Sequence, residues 1–297
     1  MSRQPFFSVV IPTYNRAALV GKTISTILDQ QFTDFELIIV DDGSKDNTEE
    51  VVRSFNDMRL TYFKKENGER GAARNFGAQK ANGVYVNFFD SDDLMYPHHL
   101  STARDFIQQR GQPEFFHLGY DFKDANGNVT KVVNGLDESI AERALFDNFL
   151  SCNGVFVRMD IARKFPFDEN RVLASAEDWE LWIRLISRFK LHYSNAVTTS
   201  VVGHDERSIR TIPTDKVLNR DLYLIERLRS DPAVVAKFGR SFNLFVAQRY
   251  TFFMLCLADD RRRPDVIRWA RRAVATYPLI LFSPRFIASL KKTLLNG

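Results

Sequence analysis

Short apolar runs alternate with segments whose apolar residues recur every three or four positions, and this alternation organises the N-terminal third of the chain. Phe6–Ile11, apolar except for Ser8, reads as a buried strand. Asn15 offers a side-chain cap to a following helix whose Val20, Ile24, Ile27 and Leu28 fall on the 3.6-residue period. Phe35–Val40 is a second strand, and the polar loop beginning Asp41-Asp42-Gly43-Ser44 leads into a short helix over Thr48–Phe55. Arg59–Phe63 reads as a third strand, Gly71–Ala81 as a helix closed by Asn82-Gly83, and Val84–Phe89 as a fourth strand. Repeated β-α units with short connections predict an α/β fold built on a doubly wound, mostly parallel sheet.

After about Glu206 the pattern becomes helical throughout, with helices predicted over Asp215–Ser230, Ser241–Leu257, Pro264–Thr276 and Pro284–Leu295. The division is therefore an α/β domain over residues 1–205 and a helical C-terminal extension over 206–297. Phe238, Phe242, Phe245, Phe252 and Phe253 are expected to pack these helices together or against the sheet. Ser283-Pro284 is a cap followed by a first-turn proline, and the helix it opens aligns Phe286, Ile287, Leu290 and Leu294 on one face.

Composition narrows the class: 44% hydrophobic and 26% charged residues in 297 exclude disordered, collagen-like and coiled-coil chains. Cys152 and Cys256 alone make neither a disulfide framework nor a cysteine metal site, so a reducing, cytoplasmic setting is expected. The apolar run near the N-terminus is too short for a signal peptide, and nothing approaches the roughly 18 apolar residues of a membrane span. The net charge of +4 conceals an asymmetry, because residues 261–297 carry nine basic residues against Asp265 alone. The basic character belongs to the tail, so the body gives no sign of nucleic-acid binding. An apolar helix face flanked by Arg285, Lys291 and Lys292 suggests peripheral contact with the inner face of a membrane, with packing on the preceding helix as the alternative.

In a doubly wound sheet, ligands collect beyond the carboxyl ends of the strands. There the first strand ends in Pro12-Thr13-Tyr14-Asn15, the second in Asp41-Asp42-Gly43-Ser44 and the fourth in Asp90-Ser91-Asp92-Asp93. No glycine fingerprint or phosphate loop follows the first strand, so a phosphate-bearing ligand needs another source of positive charge. Asp90 and Asp92 suit Mg²⁺ or Mn²⁺, whose open positions take diphosphate oxygens. Spacing alone leaves open a plain acidic turn capping a helix that begins near Pro97.

Five ordered motifs then add up. Ser8-Val-Val-Ile-Pro-Thr-Tyr-Asn-Arg16, Ile38-Ile-Val-Asp-Asp-Gly-Ser44, Gly71-Ala-Ala-Arg-Asn-Phe-Gly77, Phe89-Asp-Ser-Asp-Asp93 and Glu177-Asp178-Trp179 resemble those of family-two inverting glycosyltransferases of the GT-A fold. The resemblance covers roughly residues 6 to 205 and implies sugar transfer from a nucleoside diphosphate donor to an acceptor hydroxyl, usually with Mg²⁺ or Mn²⁺. The acceptor class implied is a glycan or a lipid-linked sugar, in cell-surface polysaccharide or glycolipid synthesis.

Carried across residue by residue, the resemblance assigns Pro12, Tyr14 and Asp42 to the nucleoside, with Tyr14 stacking on the base and Asp42 accepting from a ring N–H. The residues alone equally allow a core aromatic and a turn acid there. Arg74 matches an arginine that faces the nucleotide, Asp92 a direct metal ligand, and Asp90 a partner of the metal's water shell or the ribose. Asp93 is a candidate cap for the next helix, and His204 a candidate metal or diphosphate contact, with a structural histidine as the alternative. The resemblance selects Asp178 as the general base, with Glu177 orienting it or binding the acceptor. One such carboxylate suffices for transfer, whereas a glycosidase needs two about the scissile bond. The loops between Asp121 and Ser175, where Asn153-Gly154 and Phe156 stand out, are expected to shape the acceptor pocket. A sugar-phosphate nucleotidyltransferase should carry a Gly-rich basic loop after the first strand, which Pro12–Arg16 lacks; a non-catalytic sugar-nucleotide-binding protein would keep the motifs without turnover.

Overall fold

The computed structural model describes residues 4–203 and 213–295, and the chain divides into two compact units, Met1–Arg207 and Ser208–Gly297. The first unit begins β1 (Phe7–Thr13), α1 (Ala17–Leu28), β2 (Phe35–Asp41), α2 (Thr48–Arg53), β3 (Leu60–Lys64), α3 (Glu69–Lys80) and β4 (Tyr85–Phe88). It continues with β5 (Leu94–Met95), α4 (His99–Gln109), β6 (Phe115–Lys123), β7 (Val129–Val133), α5 (Ile140–Phe146), β8 (Val155–Arg158), α6 (Met159–Lys164), α7 (Glu177–Ile186) and β9 (His192–Val202).

One sheet runs in the order β3-β2-β1-β4-β8-β6-β9-β5, with β7 added beside β6. The strands β3, β2, β1 and β4 are mutually parallel, as the β-α alternation predicts. β8 enters antiparallel between β4 and β6, and β6 pairs parallel with β9. β1 is buried along its whole length, with Phe7, Val9 and Ile11 in a core shared with Leu37 and Ile39 of β2 and Val20, Ile24 and Ile27 of α1. On the other face, α3 lies close against the sheet. A Cβ added at Gly77 would stand 2.3 Å from Val10 Cγ1, so only glycine permits that approach.

The second unit contains α8 (Thr214–Arg229), α9 (Pro232–Asp259), α10 (Arg263–Thr276) and α11 (Pro284–Leu295), with a 3₁₀ turn over Pro278–Phe282. α9 starts nine residues earlier than the pattern predicts, because Asp231 caps Ala233 N–H at 3.0 Å ahead of Pro232. A kink at Gly239, φ +48°, then hides the continuity from the periodicity. Phe238, Phe242, Phe245 and Phe253 are buried as expected, but Phe252 is exposed beneath Arg249. Among the described residues no helix is long and apolar enough to cross a membrane.

Candidate active site

The loops after β1, β2 and β4 are tied together. Asn15, at φ +50°, donates its N–H to Ser44 Oγ at 2.9 Å, and its Oδ1 accepts from Lys45 N–H at 2.9 Å. The cap predicted for α1 is thus spent on the β2 loop. That loop meets the start of α1 in return: Thr48 Oγ1 accepts from Arg16 N–H and Asp46 from Ala17 N–H. Arg16 also reaches the third loop, its Nε 3.8 Å from Asp92 Oδ2.

Pro12 is buried in β1 beside Val40, while Tyr14 is 43% exposed and its ring is open to stacking. Asp41 is fully buried and accepts from Ser44 N–H and Tyr62 O–H, both at 2.7 Å. Asp42 is almost as buried. Its Oδ1 accepts from Lys65 Nζ at 2.7 Å and Gly68 N–H at 2.9 Å, and its Oδ2 from Asn67 Nδ2 at 3.1 Å. These partners come from the turn after β3, where Lys65 and Asn67 match no motif and pass unnoticed in the sequence.

The β4 loop is organised from beneath. Asn153, fully buried in the 3₁₀ turn Cys152–Gly154, accepts from Asp90 N–H at 2.8 Å and donates to Asp93 Oδ2 at 2.7 Å. Asp93 Oδ1 also takes Val202 N–H at 2.8 Å, so Asp93 anchors the loop to β9 and does not cap α4, which begins at His99. Phe156 is likewise no pocket residue: it is fully buried and stacks on Phe116 with centroids 5.0 Å apart.

Arg74, on α3 and 1% exposed, joins two of the motifs. Its Nη1 lies 2.7 Å from Glu177 Oε1 and its Nη2 2.8 Å from Asp90 Oδ1, with the guanidinium over the Phe167 ring. Burial disfavours the guanidinium charge, but the surrounding acids outweigh it and hold the pKa well above its usual value. Arg74 therefore spends both terminal nitrogens behind the acidic loop, a bidentate bridge that lysine could not make. Arg70, one turn earlier and also missed in the sequence, lines a cleft with Gly71, Asp168 and Glu177. Its charge is favoured by Glu177 and Asp90 against the cost of burial.

Glu177 and Asp178 open α7. Burial opposes ionisation of Glu177, yet Arg74 and Arg70 hold it below the usual carboxylate range. Burial and the adjacent Glu177 charge push Asp178 up to about 6. Asp178 Oδ1 accepts from Trp179 N–H at 2.7 Å and from Asn148 Nδ2 at 3.1 Å, and Cys152 Sγ stands 3.9 Å from Oδ2. The helix start alone suggests a carboxylate kept ionised at all ordinary pH; its neighbours instead bring it near neutrality.

The structure thus brings Asp90, Arg74, Glu177 and Asp178 into one charged cluster, with Asp92 tied to Arg16 at its edge. His204 lies outside the described residues. Asp90 and Asp92 retain solvent access and offer hard carboxylate oxygens, a donor set that fits Mg²⁺ or Mn²⁺ completed by water and phosphate oxygens. Among the described residues there is no cluster of three side chains that would cage a metal by themselves.

The sheet order and the strand-end loops define an α/β domain of the GT-A type. Residues 8–128 match the model of glycosyl transferase family 2. An uncharacterised glycosyltransferase of Rickettsia conorii is 28% identical over 214 residues, 69% of this chain and 35% of the relative; the chain thus spans about a third of that relative's length. The GalNAc(5)-diNAcBac-PP-undecaprenol beta-1,3-glucosyltransferase of Campylobacter jejuni is 35% identical over 136 residues, 44% of this chain and 43% of the relative. In fold, residues 1–349 of Staphylococcus aureus TarS, solved with UDP-GlcNAc, superpose with a TM-score of 0.71 at 21% identity, covering 98% of this chain and 89% of TarS. The mannosyltransferase PcManGT of Pyrobaculum calidifontis, solved with GDP-Man and Mn²⁺, gives 0.61 at 16% identity, covering 100% and 89%.

Proposed function

We propose that the chain is an inverting glycosyltransferase that moves a hexose from a nucleoside diphosphate sugar to an acceptor hydroxyl. The observation that carries this reading is the Arg74 bridge, which holds the Asp90 loop and the Glu177-Asp178 turn together beyond the carboxyl end of β4. The donor base stacks on exposed Tyr14 beside Pro12, and Asp42 with its turn after β3 forms the floor. Asp90 and Asp92 would hold Mg²⁺ or Mn²⁺, which neutralises the leaving diphosphate as charge develops on it.

Asp178 takes the proton of the acceptor hydroxyl while its oxygen attacks the anomeric carbon from the face opposite the diphosphate. The bond between the anomeric carbon and the diphosphate oxygen breaks, its electron pair leaves with the diphosphate, and the configuration inverts. A pKa near 6 makes Asp178 ionised at neutral pH yet basic enough to accept a proton. Glu177, fixed by Arg74, stays ionised and sustains that raised value. A lipid-linked acceptor is the class favoured, on the likeness to the Campylobacter enzyme named for an undecaprenol-linked substrate.

The test is a thermal-shift screen of nucleoside diphosphate sugars with Mn²⁺, since a ligand that binds only the native state raises its stability. One donor should raise the melting temperature in a cation-dependent way, and Asp92→Asn should abolish that rise with the fold intact. Equal stabilisation in excess chelator, or in Asp92→Asn, would remove the metal from the proposal.

A further inference from the structure

The second unit exposes apolar surface, and not where helical periodicity puts it. Phe286, expected on the free face of α11, is 2% exposed and seated within the unit. The 3₁₀ turn before that helix is the protruding element: Leu279, Leu281 and Phe282 are 63%, 45% and 78% exposed, joined by Ile287 on α11 at 41%. The turn is nonetheless fixed. Ile280 is buried, its N–H donates to Tyr277 O at 3.0 Å, and Ser283 Oγ accepts from Phe286 N–H at 3.1 Å. Three large side chains are thus held outward by a buried anchor, at a cost in exposed apolar area that calls for a partner.

The charge beside them identifies it. Arg285 lies three residues beyond the turn, at the start of α11, and Lys291 lies one turn beyond Ile287 on the same exposed face of that helix. Neither has an acidic partner among the described residues. Asp265, the sole acid after residue 260, is occupied by Arg262 and Arg268. Lys292, beside Lys291, is paired with Asp259, which leaves Arg285 and Lys291 as the cations at the rim of the apolar side chains, an arrangement that matches the boundary between acyl chains and anionic headgroups.

We propose that Pro278–Phe282 is a membrane-docking element whose Leu279, Leu281 and Phe282 enter the headgroup–acyl boundary of an anionic phospholipid bilayer, with Arg285 and Lys291 on the lipid phosphates. The claim concerns the second unit and stands apart from the transfer reaction.

Flotation of the full chain with phosphatidylcholine vesicles, with and without phosphatidylglycerol, tests it. The protein should float with anionic vesicles alone, and less so as salt is raised. Leu279→Ser with Phe282→Ser should abolish flotation while the circular dichroism spectrum is kept. Arg285→Ala and Lys291→Ala should each weaken partitioning about fivefold, the factor equivalent to about 1 kcal/mol per basic residue near an anionic surface. No flotation with anionic vesicles, or flotation indifferent to both sets of changes, overturns the proposal. A concentration-dependent dimer that the paired serine change dissolves, without lipid binding, would assign the surface to self-association and equally overturn it.

Discussion

Arg74 shows how much of the site rests on one side chain. Its two ion pairs set where Asp90 and Glu177 stand, and burial together with the Glu177 charge raises the proton affinity of Asp178. Two other buried groups tie the domain to pH. His99 and His117 are fully buried and burial pushes both down to about 3; His99 Nδ1 meets Thr198 Oγ1 at 2.8 Å, whereas neither ring nitrogen of His117 has a hydrogen-bond partner among the described residues. In the unfolded chain both rings take a proton as pH falls below about 6.5, while the folded rings stay neutral until about 3. Stability should therefore fall as pH drops through that window, by on the order of 2 kcal/mol per histidine at pH 5. Urea unfolding from pH 7.5 to 4.5 measures this, and His117→Leu should remove about half of the slope that the pair contributes; an unchanged slope would show the ring to be protonated when folded.

At the scale of elements, α3 carries Arg74 into place only because Gly77 lets the helix touch β1. Gly77→Ala should destabilise the domain by about 1–3 kcal/mol through overpacking, and adding Val10→Ala should restore part of the loss. Additive losses in denaturant melts would mean that the two positions do not meet. β1, β2 and β4 were legible as short, largely apolar runs and α1 by its period, and the polar and glycine-bearing segments between them marked the connections. The strands β6 to β9 were not, since their order depends on pairings between distant segments, such as Phe116 with both Phe156 and His192, that no local pattern records. The site divides the same way. Asp90, Asp92 and Asp178 stand in motifs, but Asn153, which stands out in the sequence only as a candidate for the acceptor pocket, braces the β4 loop from beneath, and Asn15 and Asp93 read as helix caps until distant loops claim them. Arg70 carries no local sign at all, because its surroundings are carboxylates of α7 and of the loop after β4.

For the whole molecule, the charge asymmetry and the two-unit organisation point to a division of work. The first unit, acidic on balance, sets Asp90, Glu177 and Asp178 around Arg74, while the second holds Arg285 and Lys291 beside exposed apolar residues. We propose that the first unit transfers a sugar with Asp178 as base. The most direct measurement is donor affinity and transfer rate on the same preparations of wild type and Asp178→Asn, followed from pH 5 to 8. Donor affinity should be unchanged in the variant and turnover lowered by about 10² to 10⁴, and the wild-type rate should fall as pH drops below about 6 and Asp178 takes up its proton. Loss of donor binding with turnover largely retained per bound donor, or a wild-type rate flat through pH 6, would contradict it.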